Sequence, residues 1–295
     1  MKILHVIRRW KGGVGTYVQE VCTELEKLGH EVKVISREDD LGCFSLRKSF
    51  SVLRTAVKKE NADVINAHDW SIALPLLGLK NLVVTFHAVE PSLRSRILQR
   101  LVYSRAKVIA VSNSVKKKYP KAEVVLEGVN LKLFKPVKGF ELDVKKPVIG
   151  FAQAKNKLYN YSSVVDAVDT IGGTLLTTGT RDNRSISLGY LERQELSKFY
   201  SSLDAFVSLP YKGAGFNLVW LEAMACEIPT VGNYEGVGGE LPIVHVKDNK
   251  PEKIADAIKK ALELKGKTNY REWIRKKGLT WEHTAKKLVE VYERL

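Results

Sequence analysis

The sequence has few cysteines and no long apolar run. Its 295 residues include three cysteines, Cys22, Cys43 and Cys226, which are odd in number and far apart, with no C-x-x-C pair or histidine pattern typical of a metal site. They are therefore expected to be reduced thiols in a cytoplasmic protein, buried as small core residues. The N-terminal stretch MKILHVIRRWKGG is too charged, and its apolar run too short, for a signal peptide or a membrane span.

Further absences narrow the class of protein. The sequence has no short repeat, no low-complexity tract and no carboxylate cluster at metal-ligand spacing. Its net charge of +15 would suit a nucleic-acid binder, but neither a recognition-helix motif nor a single-strand stacking platform accompanies that charge. Nucleic acid is therefore not an expected partner. With 44% hydrophobic and 27% charged residues, the chain is typical of globular proteins and long enough for two domains.

Predicted strands and helices alternate along the chain, twice over. The strand segments KILHVI, EVKVIS, DVINA, LVVTF, KVIAVS and AEVVLE are separated mostly by helical patterns. After a polar stretch bounded by prolines, residues 134–147, the pattern restarts with VIGFA, GTLLTTG, AFVSLP and PTVGN. This alternation predicts parallel strands with right-handed crossovers. We expect two doubly wound α/β domains, 1–138 and 139–280, and a closing helix over 281–295.

Two glycine-containing turns precede predicted helices. In KGGVGTY, Gly12 and Gly13 would let the backbone approach a phosphate, although a tight turn without a ligand is an equally good interpretation. The dinucleotide pattern G-x-G-x-x-G is not met, because Val18 stands at the third glycine, and this disfavours a nicotinamide enzyme. The second turn, GAGFNLVWLE, follows the strand AFVSLP and becomes helical by Leu218, so it also predicts an anion site.

These stretches resemble, in order along the whole chain, the motifs of GT-B glycosyltransferases of family 4 (glycosyl transferases group 1). The matching segments are GGVGTYVQEV, DVINAHDW, TFHAVEP, IAVSNSVKK, EGVNLKLFKP, LGYLERQELSKFYSSLDAFVSLP, GFNLVWLEAMACEIPTVGNYEGVGGEL and LTWEHTAKKLVEVYERL. The resemblance implies a GT-B fold, with two Rossmann-like domains facing a central cleft. It also implies a retaining, metal-independent transferase without cofactor, which moves a hexose from a UDP-sugar or GDP-sugar to a hydroxyl acceptor, either lipid-linked or a glycan.

The resemblance assigns donor binding to three places. Gly12 and Gly13 approach the diphosphate, and one of Lys155 and Lys157 neutralises it in place of the family's usual arginine and lysine, with a solvated loop as the alternative for both. Glu222 accepts hydrogen bonds from both ribose hydroxyls. Four residues of the second turn present backbone N–H groups to the diphosphate: Gly215, Phe216, Asn217 and Leu218.

His87 is the expected catalytic residue. It follows the strand LVVTF, and the resemblance places the family's T-x-H histidine on it. A neutral imidazole there would hydrogen-bond the transferred sugar or stabilise charge near its anomeric carbon. His68, in NAHDW, is expected to act behind His87 and, with Asp69, to shape the acceptor side. A purely structural role is the alternative for a single histidine at a strand end.

The family's pair of glutamates, separated by seven residues, is incomplete in this sequence. Counting back from Glu222 places Ala214 at the first glutamate, and Asn217 replaces the usual glycine after Phe216. Family enzymes contact the transferred sugar with the first glutamate, and Asn217 is a candidate replacement for that contact. A non-catalytic protein that binds a sugar nucleotide or a glycan is therefore the alternative function.

The positive charge is concentrated in the first half of the chain. Residues 1–140 carry 25 Lys and Arg against 13 Asp and Glu, a net of +12, whereas residues 141–295 carry 23 against 20, a net of +3. Much of the excess lies on basic amphipathic helices predicted within residues 45–59 and 91–105. A core-packed helix with a solvated face is the alternative, but the asymmetry favours an anionic membrane surface as a partner. The protein would then lie peripherally on the inner face of a membrane.

Overall fold

The protein is an α/β protein built on parallel sheets. The computed structural model describes residues 1–153, 155–179 and 182–295, and in this part of the chain the strands form two parallel six-stranded sheets. The predicted fold class is confirmed. No helix of the described residues is long and apolar enough to cross a membrane.

The first sheet has the strand order β2-β1-β3-β4-β5-β6. Its strands are β1 Lys2–Ile7, β2 Glu31–Ser36, β3 Val64–His68, β4 Leu82–Phe86, β5 Lys107–Ala110 and β6 Glu123–Val124. The helices between them are α1 Gly13–Lys27, α2 Leu46–Lys59, α3 Trp70–Ala73, α4 Leu93–Tyr103 and α5 Asn113–Lys116. Val6, Ile65 and Val84 belong to the core that buries this sheet, and they come from the three central strands.

The second sheet has the strand order β12-β11-β10-β7-β8-β9. Its strands are β7 Val148–Phe151, β8 Thr174–Thr177, β9 Ile186–Ser187, β10 Ala205–Val207, β11 Thr230–Gly232 and β12 Val244–His245. The helices are α6 Tyr161–Thr170, α7 Leu196–Ser201, α8 Leu218–Ala225, α9 Pro251–Leu262 and α10 Tyr270–Lys276, and the chain closes with α11 Trp281–Tyr292. Ile149, Val207 and Val231 anchor a second, separate core.

The chain divides into two compact units, neither of which is continuous in sequence. Unit 1 comprises Met1–Gly128, Gly213–Phe216 and Trp281–Leu295, and unit 2 comprises Val129–Lys212 and Asn217–Thr280. The units thus differ from the predicted limits of 1–138, 139–280 and 281–295 in two respects. The chain enters unit 2 earlier, and both α11 and the turn at Gly213–Phe216 belong to unit 1.

The strand orders fix where each unit can hold a ligand. In unit 1 the chain runs from β1 to β2 on one side and then to β3 on the other, so the order reverses between β1 and β3. In unit 2 it reverses between β7 and β10. Ligands of doubly wound sheets bind outside the carboxyl ends of the strands at such reversal points. These two places are therefore where the predicted site residues need to lie.

Candidate functional site

The glycine turn of unit 1 leaves the start of α1 open. Gly12 precedes α1 with φ of 105°, a conformation that favours glycine, and no side chain caps the helix. A Cβ added to Gly13 would meet no atom within 4 Å. The first N–H groups of a helix have no partner within the helix, so an open start is suited to an anion. The donor-binding role of Gly12 and Gly13 stays a prediction that this geometry permits.

Three histidines form a line at the carboxyl ends of β1, β3 and β4. Nδ1 of His5 lies 3.0 Å from Nε2 of His68, and Nδ1 of His68 lies 2.9 Å from Nε2 of His87. Nδ1 of His87 lies 3.1 Å from Oε1 of Glu127, a carboxylate that is 4% exposed. Both ring nitrogens of His87 are therefore engaged within the protein. To hydrogen-bond a sugar through Nε2, the imidazole would have to release His68.

The charge on these rings follows from their surroundings. Burial lowers the pKa of His5 to about 4. Burial, together with His87 and His5, lowers the pKa of His68 well below its ordinary value. Burial also lowers the pKa of His87, but the hydrogen bond with Glu127 and the charges of Asp69 and Glu127 outweigh burial and raise it. A proton held by this group therefore resides on His87.

The turn that carries Ala214 packs against the residues that follow β4. Ala214 pairs with Ala88 in an antiparallel bridge, and the Val89 N–H donates to the Gly213 carbonyl at 2.8 Å. A Cβ added to Gly215 would lie 1.8 Å from the carbonyl oxygen of His87, so only glycine fits there. This segment of unit 1 therefore brings the position of the missing glutamate beside the candidate catalytic histidine.

In unit 2, three neutral side chains meet at the reversal point between β7 and β10. The Ser208 hydroxyl donates to Gln153, the Gln153 amide donates to Oδ1 of Asn217 at 2.9 Å, and Nδ2 of Asn217 donates to Oγ of Ser208 at 2.7 Å. The three residues form a closed ring of hydrogen bonds. Because the Asn217 side chain is held in this ring, it makes no capping hydrogen bond to the start of α8. The Trp220 N–H donates to the Asn217 carbonyl at 3.0 Å, and an anion would suit the N–H groups that precede it in α8.

Glu222 lies in the second turn of α8 and is 8% exposed. Its Oε2 accepts a hydrogen bond of 2.7 Å from the Tyr200 hydroxyl, and Tyr200 itself is fully buried. Burial and the adjacent Glu222 carboxylate raise the pKa of Tyr200 well above its usual value. The predicted ribose contact is not tested by this geometry, but Tyr200 is already a fixed partner of the carboxylate.

The two predicted lysines have different environments. Lys155 pairs with Asp182 at 3.0 Å and donates to Ser185, and its side chain is 9% exposed, so its charge is already neutralised. Lys157 lines a cavity of about 420 Å³ together with Lys212, Lys247 and Glu235. Among the described residues no ion pair of Lys157 is seen, so of the two lysines it is the better candidate to meet a diphosphate. Both assignments stay predictions.

No role was predicted from the sequence for His5, Glu127, Gln153 or Tyr200. Signals for two of them were present: His5 is a polar residue within the apolar strand KILHVI, and Glu127 is the last residue of the predicted strand segment AEVVLE. A buried polar residue in a parallel strand needs a partner, and the partner of His5 is His68. Gln153 and Tyr200 gave no comparable signal. Within the described residues, no group of three or more His, Cys, Asp and Glu side chains could hold a metal ion.

Known structures share the fold over the whole chain, whereas similarity in sequence covers a part of it. The chain superimposes on sucrose-phosphate synthase from Thermosynechococcus elongatus with a TM-score of 0.82 and 18% identity, covering 100% of this chain and 99% of that one. It superimposes on Anabaena Alr3699/HepE in complex with UDP-glucose with a TM-score of 0.78 and 16% identity, covering 100% of both chains. Both show the same fold as this protein.

Sequence similarity is confined to a shorter region. A D-inositol 3-phosphate glycosyltransferase from Jonesia denitrificans is 32% identical over 116 residues, which are 35% of this chain and 26% of that relative. The match therefore spans about a quarter of the relative's length. Residues 182–281, which lie mostly in unit 2 and include α8 and Glu222, match the family model described as glycosyl transferases group 1. The chain is thus a protein of GT-B fold whose second half carries the sequence signature of group 1 glycosyltransferases.

Proposed function

We propose that this protein is a retaining, metal-independent glycosyltransferase that moves a hexose from a nucleotide diphosphate sugar to a hydroxyl acceptor. The observation that carries the proposal is the start of α8. An uncapped helix start lies beside the reversal point of a doubly wound sheet, and a buried glutamate follows in the second turn. Helix N–H groups suit a diphosphate, and a carboxylate suits two ribose hydroxyls.

The protein's contribution to catalysis would be orientation and charge stabilisation. Among the residues that the structure describes, no nucleophile for a covalent sugar intermediate is evident, so we expect front-face attack assisted by the leaving phosphate. His87 is the proposed catalytic residue. We expect His87→Ala to lower turnover with little change in nucleoside diphosphate affinity, because its contact would form mainly in the transition state. Equal losses of affinity and of folding stability would indicate a structural residue instead.

The first experiment is a thermal-shift panel with UDP, GDP, ADP and their sugar conjugates. A ligand at 100 times its dissociation constant stabilises the fold by about 2.7 kcal/mol, so a binding nucleotide raises the melting temperature measurably. UDP-glucose is the first donor to test, since the Anabaena protein of the same fold is in complex with it. If no nucleoside diphosphate stabilises the protein, the donor site is wrongly assigned.

A binding protein without transferase activity is the second candidate. Ala214 cannot make the sugar contact of a glutamate, the ring of Gln153, Ser208 and Asn217 is uncharged, and Lys155 is neutralised by Asp182. These features weaken leaving-group stabilisation without removing the start of α8. Slow release of free sugar from a bound donor would distinguish the two functions. A protein that binds the donor and releases no sugar over long incubation would favour the binding function.

An anionic membrane surface is the proposed partner of unit 1. Leu93 and Ile97, one turn apart on α4, are 69% and 59% exposed, whereas Gln99 and Val102 are buried on the opposite side. The arginine face, defined as Arg94, Arg96 and Arg100, is exposed around the two apolar side chains. Apolar side chains surrounded by arginines suit the interface of a membrane with anionic lipid, and a lipid-linked hydroxyl acceptor would be reached there.

A further inference from the structure

The line of histidines has one self-consistent arrangement of protons when Glu127 is ionised. An ionised carboxylate only accepts, so His87 carries its proton on Nδ1 and leaves Nε2 as an acceptor. Nε2 of His87 then requires a proton on Nδ1 of His68, and Nε2 of His68 requires one on Nδ1 of His5. All three rings are neutral in this arrangement, and each carries its proton on Nδ1.

His5, at the end of the line away from Glu127, supports the arrangement in which each ring carries its proton on Nδ1. Nε2 of His5 is buried and has no hydrogen-bond partner among the described residues. In the arrangement above, Nε2 of His5 has a lone pair and no proton. In the reverse arrangement it would be an N–H group without an acceptor, and buried N–H groups without partners are rare and costly. The rings lie edge to edge in nearly one plane, with interplanar angles of 24° for His5 and His68 and 28° for His68 and His87, so each hydrogen bond lies close to the planes of both rings.

We propose that His5, His68 and His87 form one proton relay that ends on Glu127 and decides whether Nε2 of His87 accepts or donates a hydrogen bond. When a proton from solvent is taken up at Nε2 of His5, which a local opening must expose because this atom is buried, the Nδ1 proton of His5 passes to Nε2 of His68. The Nδ1 proton of His68 then passes to Nε2 of His87. Three N–H bonds form and two break, the line gains one proton, and the positive charge resides on His87 beside Glu127.

The groups around the three histidines also favour the positive charge on His87. Asp69, which follows β3, accepts from the His87 backbone N–H at 3.3 Å, so two carboxylates face His87. From α1, the Tyr17 ring lies edge-on to His68 and His87, with centroids 5.6 and 4.9 Å away, and from α11 Trp281 packs on Tyr17. Neither aromatic ring brings a charge. Within the part of the chain that the structure describes, neither His5 nor His68 has a carboxylate partner, so the added proton is more stable on His87 than on either of them.

Without the relay, protonation of His87 would break the line. Its new Nε2–H would meet the Nδ1–H of His68, with two donors 2.9 Å apart. The relay removes this conflict between His87 and His68 by moving the protons of His68 and His5 from Nδ1 to Nε2. The N–H group left without an acceptor among the described residues is then Nε2–H of His5, a cost that the attraction between protonated His87 and Glu127 must offset. Glu127, His68 and His5 are therefore positioning residues for His87. The consequence for sugar transfer rests on the proposed function, whereas the relay itself does not.

The test is NMR of the ligand-free protein with ¹⁵N-labelled histidine, in which ring nitrogens that carry a proton are told apart from those that do not. The chain has six histidines. At a pH above the His87 transition, we expect His5, His68 and His87 each to carry the proton on Nδ1. His245 is the internal reference for the opposite form, because its Nε2 donates to the Gly238 carbonyl at 2.8 Å. An Nε2 proton on any of the three rings in the neutral state would overturn the proposal.

Lowering the pH supplies the second arm. As His87 becomes doubly protonated, His5 and His68 should change from Nδ1–H to Nε2–H in the same transition. The variant His68→Phe keeps an aromatic ring at this position and removes both hydrogen bonds. In this variant His5 should no longer follow His87, while the backbone amide signals of unit 1 report that its fold is retained. A parent protein in which His87 titrates and His5 does not respond would refute the relay. Loss of sugar transfer alone would leave the relay intact.

Discussion

Replacing Glu222 by alanine should weaken nucleoside diphosphate binding and destabilise the protein, through two separable effects. The first is the loss of the proposed bonds to the ribose. A hydrogen bond to a charged group contributes about 1.5 to 3 kcal/mol, so even one such bond corresponds to a loss of roughly tenfold or more in affinity. The second effect falls on Tyr200, whose fully buried hydroxyl would lose its acceptor.

The stability cost follows from that buried hydroxyl. A buried polar group left without a partner costs about 1 to 3 kcal/mol, so Glu222→Ala should lower the free energy of unfolding by this amount. The control is Tyr200→Phe, which removes the hydroxyl and leaves the carboxylate in place. Tyr200→Phe should change nucleotide affinity by less than about threefold, because the carboxylate still accepts from the ribose.

Titration calorimetry with UDP and GDP, paired with urea unfolding, separates the two effects. Each variant is titrated at a temperature where unfolding shows that it is folded. The ribose assignment is wrong if Glu222→Ala binds the nucleotide like the parent protein. It is also wrong if Tyr200→Phe loses as much affinity as Glu222→Ala, since the loss would then come from altered packing of α8.

Three further predictions concern the remaining features. Gly215→Ala should lower the free energy of unfolding by about 1 to 3 kcal/mol, because the new Cβ meets the His87 carbonyl. Gly13→Ala should leave the free energy of unfolding nearly unchanged, because its Cβ meets no atom within 4 Å. Equal urea midpoints for the two variants would contradict this expectation. Below pH 6.5 the unfolded chain protonates His5 while the folded protein, with a pKa of about 4, does not, so stability is lost as pH falls through this window, by about 2 kcal/mol at pH 5. His5→Phe should flatten this loss in urea titrations at pH 7 and pH 5, and an unchanged slope would refute the assignment. Changing the arginine face of α4 to glutamate should abolish pelleting with anionic vesicles at low salt. The same change at the exposed α9 lysines 253, 259 and 260 should not abolish it. If the parent protein does not pellet with these vesicles, the membrane partner is excluded.

The regular elements were predictable where apolar periodicity was strong. β1, β2 and β4 have the predicted limits. β1 and β4 are apolar runs buried on both faces of a parallel sheet, and β2 is an edge strand in which polar and apolar residues alternate. β9 and β12 were not predicted. Each has two residues at the edge of the second sheet, and no apolar pattern can identify so short a strand.

The site was only half predictable, because its residues could be named but their partners could not. His87 and Glu222 were identified from their motifs, yet their bonding partners Glu127 and Tyr200 are 40 and 22 residues away. Lys155 shows the same limit, since its charge is evident in the sequence and its neutralisation by Asp182 is not. Such pairings depend on which strands become neighbours. Periodicity gives the strands but not the side chains that meet at their ends.

The placement of α11 has a consequence for the order of folding during synthesis. α11 lies in unit 1, where Asn66 donates to the Tyr292 hydroxyl at 2.7 Å and Trp281 packs edge-on against Tyr17. A ribosome that has made unit 1 up to Gly128 has therefore not yet made the helix that completes its core. All of unit 2 is synthesised before that helix. Residues 213–216, which interrupt the sequence of unit 2, belong to unit 1. Nascent chains halted before Trp281 should therefore protect unit 2 from proteolysis while unit 1 is still cleaved, reversing the usual N-terminal-first order.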